Sequence, residues 1–160
     1  MKRIKLKNTN RFYLDELLHP NFYNDRVHGG AKSIKFLNND LVNLLIFIRE
    51  HYKMPITINN WATGGKFINS GVRDAMQPLG GKLSRSRHYL GMCLDLKFKA
   101  NVSRKERIKI TKFVHNDIIN NEALFMRMGL TVLENIKHTP TWLHISVEQT
   151  ELDHIKIINP

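Results

Sequence analysis

The stretch Ser86-Arg87-His88-Tyr89-Leu90-Gly91-Met92-Cys93-Leu94-Asp95-Leu96-Lys97-Phe98 organises the rest of the chain. From Met92 to Phe98 it reads as a β-strand, and Gly91 lets the backbone turn tightly between His88 and that strand. A period of two sends Leu94, Leu96 and Phe98 to a core face and Cys93 and Asp95 to the opposite one. An acid in an apolar strand needs a partner. Trp142-Leu143-His144-Ile145-Ser146-Val147-Glu148 offers one, because it alternates in the same way. Leu143, Ile145 and Val147 share the core face, while Trp142, His144, Ser146 and Glu148 line a polar wall. Two adjacent strands would present Asp95 and His144 to one point, with His88 arriving from the preceding turn. Two imidazoles and a carboxylate are the ligand set of a catalytic Zn2+ that keeps its fourth position open for water.

Singly, each residue has a plainer reading: a loop histidine, a half-buried histidine and a salt-bridge acid. Jointly, with their neighbours, they favour the metal. Cys93 reads as a small buried thiol packed beside the site rather than as a ligand, and as the single cysteine it excludes an intramolecular disulfide.

The surrounding pattern fits one α+β domain over residues 1–160, a mainly antiparallel sheet with two or three helices packed against it. Residues 1–35 look like an irregular or short-helical arm. Leu41, Leu44, Leu45, Ile48 and Tyr52 recur at helical spacing, which predicts a helix over about 39–52 ended by Pro55. Ile56 to Asn59 reads as a short strand, and the glycine-rich run 60–87 as a long loop with a functional purpose. Ser103 with Glu106 forms a capping box that opens a helix to about 120, with Ile110, Phe113, Val114 and Ile118 as its expected buried stripe. Residues 122–128 extend or follow it up to Gly129, and further strands are expected near 130–135, 142–148 and 154–158.

Ser86-x-His88-x2-Gly91-x3-Asp95, the upstream Ser70-Gly71-Val72-Arg73 and the downstream Trp142-x-His144 resemble the zinc D-Ala-D-Ala carboxypeptidase and L-alanyl-D-glutamate peptidase family. Asn59 to Phe67 is similar to a phage-encoded branch of it, and the likeness runs over roughly residues 55–148. The resemblance implies a phage endolysin or virion enzyme that cuts peptidoglycan stem peptides. It implies His88, Asp95 and His144 as Zn2+ ligands, Arg73 at the scissile carbonyl, and Ser86 and Trp142 at the substrate. Hedgehog-type domains share this metal geometry in a non-hydrolytic role, so a zinc-containing wall-binding or virion module is the alternative.

One departure concerns the proton carrier. Members of the family carry an acid three residues before the last ligand histidine, and here that position is Thr141, which cannot exchange a proton near neutral pH. Glu148 lies four residues past His144, too far along a strand that rises about 3.3 Å per residue. Glu134 and His138 are the remaining candidates, with Glu134 preferred because its strand is expected beside that of His144.

The balance of 25 Lys and Arg against 14 Asp and Glu gives a net charge of +11, which draws polyanions. Nucleic acid is disfavoured, because the basic residues are scattered and not interleaved with aromatics. Anionic wall polymers are the better match, as a further partner beside the stem peptides. The basic start is followed by no apolar run, so the reading is of a chain made in the host cytoplasm without a signal peptide and without a membrane span, acting at the bacterial wall after release or from a virion.

Overall fold

The computed structural model describes residues 3–6, 11–73 and 86–159. The chain is α+β and forms two compact units, one from Met1–Asn38 and Ile58–Leu94, the other from Asn39–Thr57 and Asp95–Pro160.

The first unit is built on the N-terminal arm, which is short-helical and carries core. Helices α1 (Leu14–Leu17) and α2 (Pro20–Tyr23) are followed by a 3-10 turn over Gly30–Phe36. Leu6, Phe12, Leu14, Leu17 and Leu18 are all buried. The backbone of the arm is satisfied by the glycine-rich loop: Val72 N–H donates to Leu17 O at 2.8 Å and His19 N–H to Val72 O at 2.9 Å. Buried Asn59 closes the same joint from its side chain, giving Nδ2–H to Leu18 O and accepting at Oδ1 from Ser70 N–H. A side chain that satisfies its neighbours' main chain replaces a strand there, so the expected strand over Ile56–Asn59 shortens to β1 (Ile56–Thr57).

The second unit holds the sheet. Its strands, β1, β2 (Cys93–Phe98), β3 (Val132–Glu134), β4 (Leu143–Ser146) and β5 (Lys156–Ile158), lie in the order β1-β2-β4-β3-β5. β1 runs antiparallel to β2 with Ile56 opposite Phe98, β3 antiparallel to β4 with Leu133 opposite Ile145, and β5 parallel to β3. The first two residues of β2 belong to the first unit and the last four to the second.

Helix α3 (Asn39–Tyr52) buries Leu41, Leu44, Leu45 and Ile48 on one stripe, the i, i+3, i+4, i+7 spacing that its sequence predicts. Helix α4 (Arg104–Asn120) begins where Ser103 Oγ accepts from Glu106 N–H at 3.2 Å. Its buried stripe is Thr111, Val114, His115 and Ile118, not the expected stripe through Phe113, which is 61% exposed. The polar Thr111 and His115 mask the true stripe: both complete the same i, i+3, i+4, i+7 set, and Thr111 silences its hydroxyl by donating to Arg107 O at 2.8 Å. Helix α5 (Glu122–Arg127) ends against Gly129, which takes the left-handed φ of 93°. Tyr52 ties α3 to α4 through a 2.8 Å bond from its hydroxyl to Asp117 Oδ2, and burial beside that carboxylate pushes the phenol pKa far up.

His115 has a cost attached. Neither ring nitrogen makes a hydrogen bond of good geometry among the described residues, and burial pushes its pKa below the ordinary histidine value, with weak approaches of the Glu134 main chain and the Asn116 side chain only partly offsetting this. The unfolded chain therefore binds the proton more readily than the folded one. The contribution is complete above the ordinary value of about 6.5 and is lost as pH falls from there through the lowered folded value. His115→Leu should flatten this acid limb in urea unfolding measured across pH. It should also keep neutral-pH stability within about 1 kcal/mol, because an unsatisfied buried polar group is removed.

Candidate metal centre

In the first unit, the chain approaches β2 through a 3-10 turn over Arg87–Leu90. Ser86 caps this turn, its Oγ accepting from His88 N–H at 3.4 Å. Gly91 ends it at φ 65°, and a Cβ there would run into the Phe36 carbonyl. Only glycine meets both demands. The turn delivers His88 inward, 2% exposed, with Nδ1 2.8 Å from Gly71 O. A carbonyl only accepts, so Nδ1 carries the proton and the lone pair resides on Nε2. Gly71 must itself be glycine, since a Cβ would meet the Leu17 carbonyl. Arg73 N–H donates to His88 O at 3.3 Å, which brings Arg73 beside the histidine as its sequence position suggests, and its Nε donates to Asn69 O. Cys93 is fully buried, and its Sγ lies within 4.8 Å of a His88 ring nitrogen.

The second unit gathers Asp95, Glu134 and His144. Asp95 and His144 are 8% and 7% exposed, and Asp95 Oδ1 lies 2.9 Å from His144 Nδ1. Glu134 Oε1 stands 3.7 Å from the same nitrogen. The β3–β4 register explains this: with Leu133 opposite Ile145, the next residue of β3 falls level with His144. Lys97 shares the Asp95 face of β2, is also buried, and bonds its Nζ to Asp95 O at 3.4 Å. Beyond His144 on the same face, Ser146 donates its hydroxyl to Glu148 Oε1. Glu148 is engaged there, four residues past His144 and beyond the end of β4.

The other expected residues divide. His138 is exposed in the turn that follows β3, its N–H on Asn135 O, and no contact joins it to His144 among those described. Trp142 is half-buried just before β4, its N–H on Thr139 O. The part of the glycine-rich run over residues 74–85 lies outside the described residues.

The first unit offers buried His88 and Cys93, and the second buried His144 beside Asp95, donor types compatible with a metal ion without singling out zinc. Within each unit the histidine ring is oriented by an oxygen at Nδ1, Gly71 O for His88 and Asp95 Oδ1 for His144. Sequence reasoning set Cys93 aside as a packed thiol and passed over Lys97. The signal for both is the period of two, which places them on the Asp95 face.

No family model, curated protein or solved structure matches the chain.

The turn at Gly91 fixes where His88 stands. Gly91→Ala should cost roughly 1–3 kcal/mol of folding stability, since an L-residue is strained at positive φ and its Cβ meets the Phe36 carbonyl. Thermal unfolding of the variant beside the parent, with metal uptake measured on both, checks it.

Proposed function

We propose that the chain is a zinc-dependent peptidase that cuts peptidoglycan stem peptides, of the phage endolysin or virion type that its motifs resemble. The observation that carries this reading is the approach of Glu134 to His144: a half-buried acid 3.7 Å from the imidazole that the motif assigns to the metal. This acid stands on the strand next to His144 and supplies what Thr141 cannot.

As the resemblance implies, the ion would be held by His88, Asp95 and His144. Bound Zn2+ supplies Lewis acidity to an amide carbonyl and acidifies a water. Glu134 takes the proton of the attacking water and returns it to the leaving amine. Arg73 offers its guanidinium to the carbonyl oxygen as negative charge develops there, an interaction stronger in the transition state than in the ground state. Ser86 and Trp142 would contact the peptide, as the resemblance implies. The net charge of +11 favours a wall rich in anionic polymers as the setting. No helix among the described residues is long and apolar enough to cross a membrane, and the proposed place of action is the bacterial wall, after release or from a virion. Thr141 is the observation that favours the second reading, a zinc-containing wall-binding or virion module without turnover.

Purified protein should carry about one zinc per chain by elemental analysis, and His88→Ala or His144→Ala should each abolish it, because few protein ligands share the ion. Zinc retained at full stoichiometry in both variants rules the site out.

Glu134→Gln should retain the metal while lowering turnover of purified muropeptides by about 10²- to 10⁴-fold, the range for a lost general base. Release of stem peptides at the parent rate by this variant would remove Glu134 from the mechanism, and no release by the parent would favour the binding module.

A further inference from the structure

We infer that the outer face of α4, together with the ends of α3 and β2, is a docking surface for a phosphate-bearing polymer of the bacterial wall. The choice of a wall polymer rests on the place of action proposed above. The surface itself lies wholly within the second unit.

Scattered along the sequence, these lysines are gathered by the fold. Lys105, Lys109 and Lys112 stand at i, i+4 and i+7 on α4, so they share one face, and all three are exposed. Phe113 stands one turn past Lys109, is 61% exposed, and lies 6.4 Å ring to ring from Tyr52 at the end of α3. Exposed Lys53 follows Tyr52. Lys99, just past β2, joins the same corner: its N–H donates to Pro55 O at 2.9 Å, and its carbonyl accepts from Val102 N–H at 3.0 Å ahead of α4. None of the five lysines forms an ion pair among the described residues. Of the nearby acids, Asp117 is taken up by the Tyr52 hydroxyl, and Glu106 and Glu50 leave the balance positive.

Local stability does not account for this arrangement. Lys53 and Lys99 take left-handed φ of 50° and 44°, the only non-glycine residues to do so among those described. Glycine fits that backbone with less strain. Helix α4 opens on Arg104 and Lys105, at the positive end of its dipole, and has no basic residue in its last turn. Lys105 and Lys109 also repel each other at i, i+4. Each feature works against the fold locally, and each adds positive charge to one surface. Ammonium groups without internal partners attract phosphates as point charges and release the counterions of the polymer.

The chemistry favours a flexible polyol phosphate over other polyanions. Nucleic acid is gripped by several stacking aromatics or by side chains that fork onto base edges, and this face shows one exposed ring and a row of lysines. A membrane surface needs a broad apolar face, but the apolar stripe of α4 is turned into the core.

Titration calorimetry of the intact protein with purified poly(glycerol phosphate) tests this, beside duplex DNA and phosphatidylglycerol vesicles at equal phosphate concentration. The polymer should bind more tightly than either, with an affinity that falls as salt rises. Lys105→Gln/Lys109→Gln/Lys112→Gln should weaken polymer binding by at least about tenfold, since three phosphate contacts are lost. Removing the same charge elsewhere, in Lys32→Gln/Lys35→Gln/Lys66→Gln, should weaken it by less than about threefold. Lys53→Gly/Lys99→Gly should also bind more weakly than the parent while unfolding thermally no earlier, because glycine relieves both left-handed sites. Equal losses in the two triple variants would reduce the surface to net charge and overturn the inference. Tighter binding of DNA or vesicles, or full polymer binding by Lys53→Gly/Lys99→Gly, overturns it as well. A protein that binds the polymer and releases no stem peptide keeps this surface and loses only the peptidase reading. Release of stem peptides without polymer binding does the reverse.

Discussion

Strand β2 is buried on both faces, and most of the chemistry described above follows from that constraint. One face carries Leu94, Leu96 and Phe98 and is satisfied by apolar packing. The other carries Cys93, Asp95 and Lys97, where burial without partners costs several kcal/mol for each charge. The fold answers locally: Asp95 faces the His144 imidazole and Lys97 bonds back to the Asp95 carbonyl. A polar strand face shut away from water is costly to keep for packing alone. Asp95 and Lys97 thereby concentrate opposite charges beside the His144 imidazole.

Glycine controls the approach to this face. Gly71 and Gly91 both sit where a Cβ would strike a carbonyl, of Leu17 and of Phe36 respectively. Each close approach frees a main-chain group for use: Gly71 O for the His88 ring, Gly91 O for the Asn38 N–H. The N-terminal arm therefore supports the surroundings of His88 within the first unit, and its buried leucines keep Leu17 and Phe36 where the glycines need them.

Apolar periodicity made the helices and strands legible, and polar burial hid the rest. The spacing of Leu41, Leu44, Leu45 and Ile48 marks α3 from end to end, and the alternation around Asp95 and His144 places both on one kind of face. The stripe of α4 was half legible: Val114 and Ile118 are buried as expected, while Thr111 and His115 fill core positions with polar side chains and Phe113 faces outward beside Tyr52. Composition carries no trace of such an exchange. Glu134 was legible because strand order and register follow from sequence proximity and alternation. The roles of Asn59 and Gly71 were not, since each depends on which distant atom comes within a few ångströms.

The edge position of β5 bears on how the protein keeps its own company. Three residues long and parallel to β3, it occupies the rim of the sheet on the side of Glu134. A bare β3 there would offer unpaired amides and carbonyls to any passing strand, the usual seed of edge-to-edge aggregation. β5 takes up those groups and presents instead a short rim with exposed Lys156, a poor template for further pairing. This short strand thus acts as a guard against edge-to-edge pairing, and in a strongly basic chain that guard bears directly on whether copies remain single.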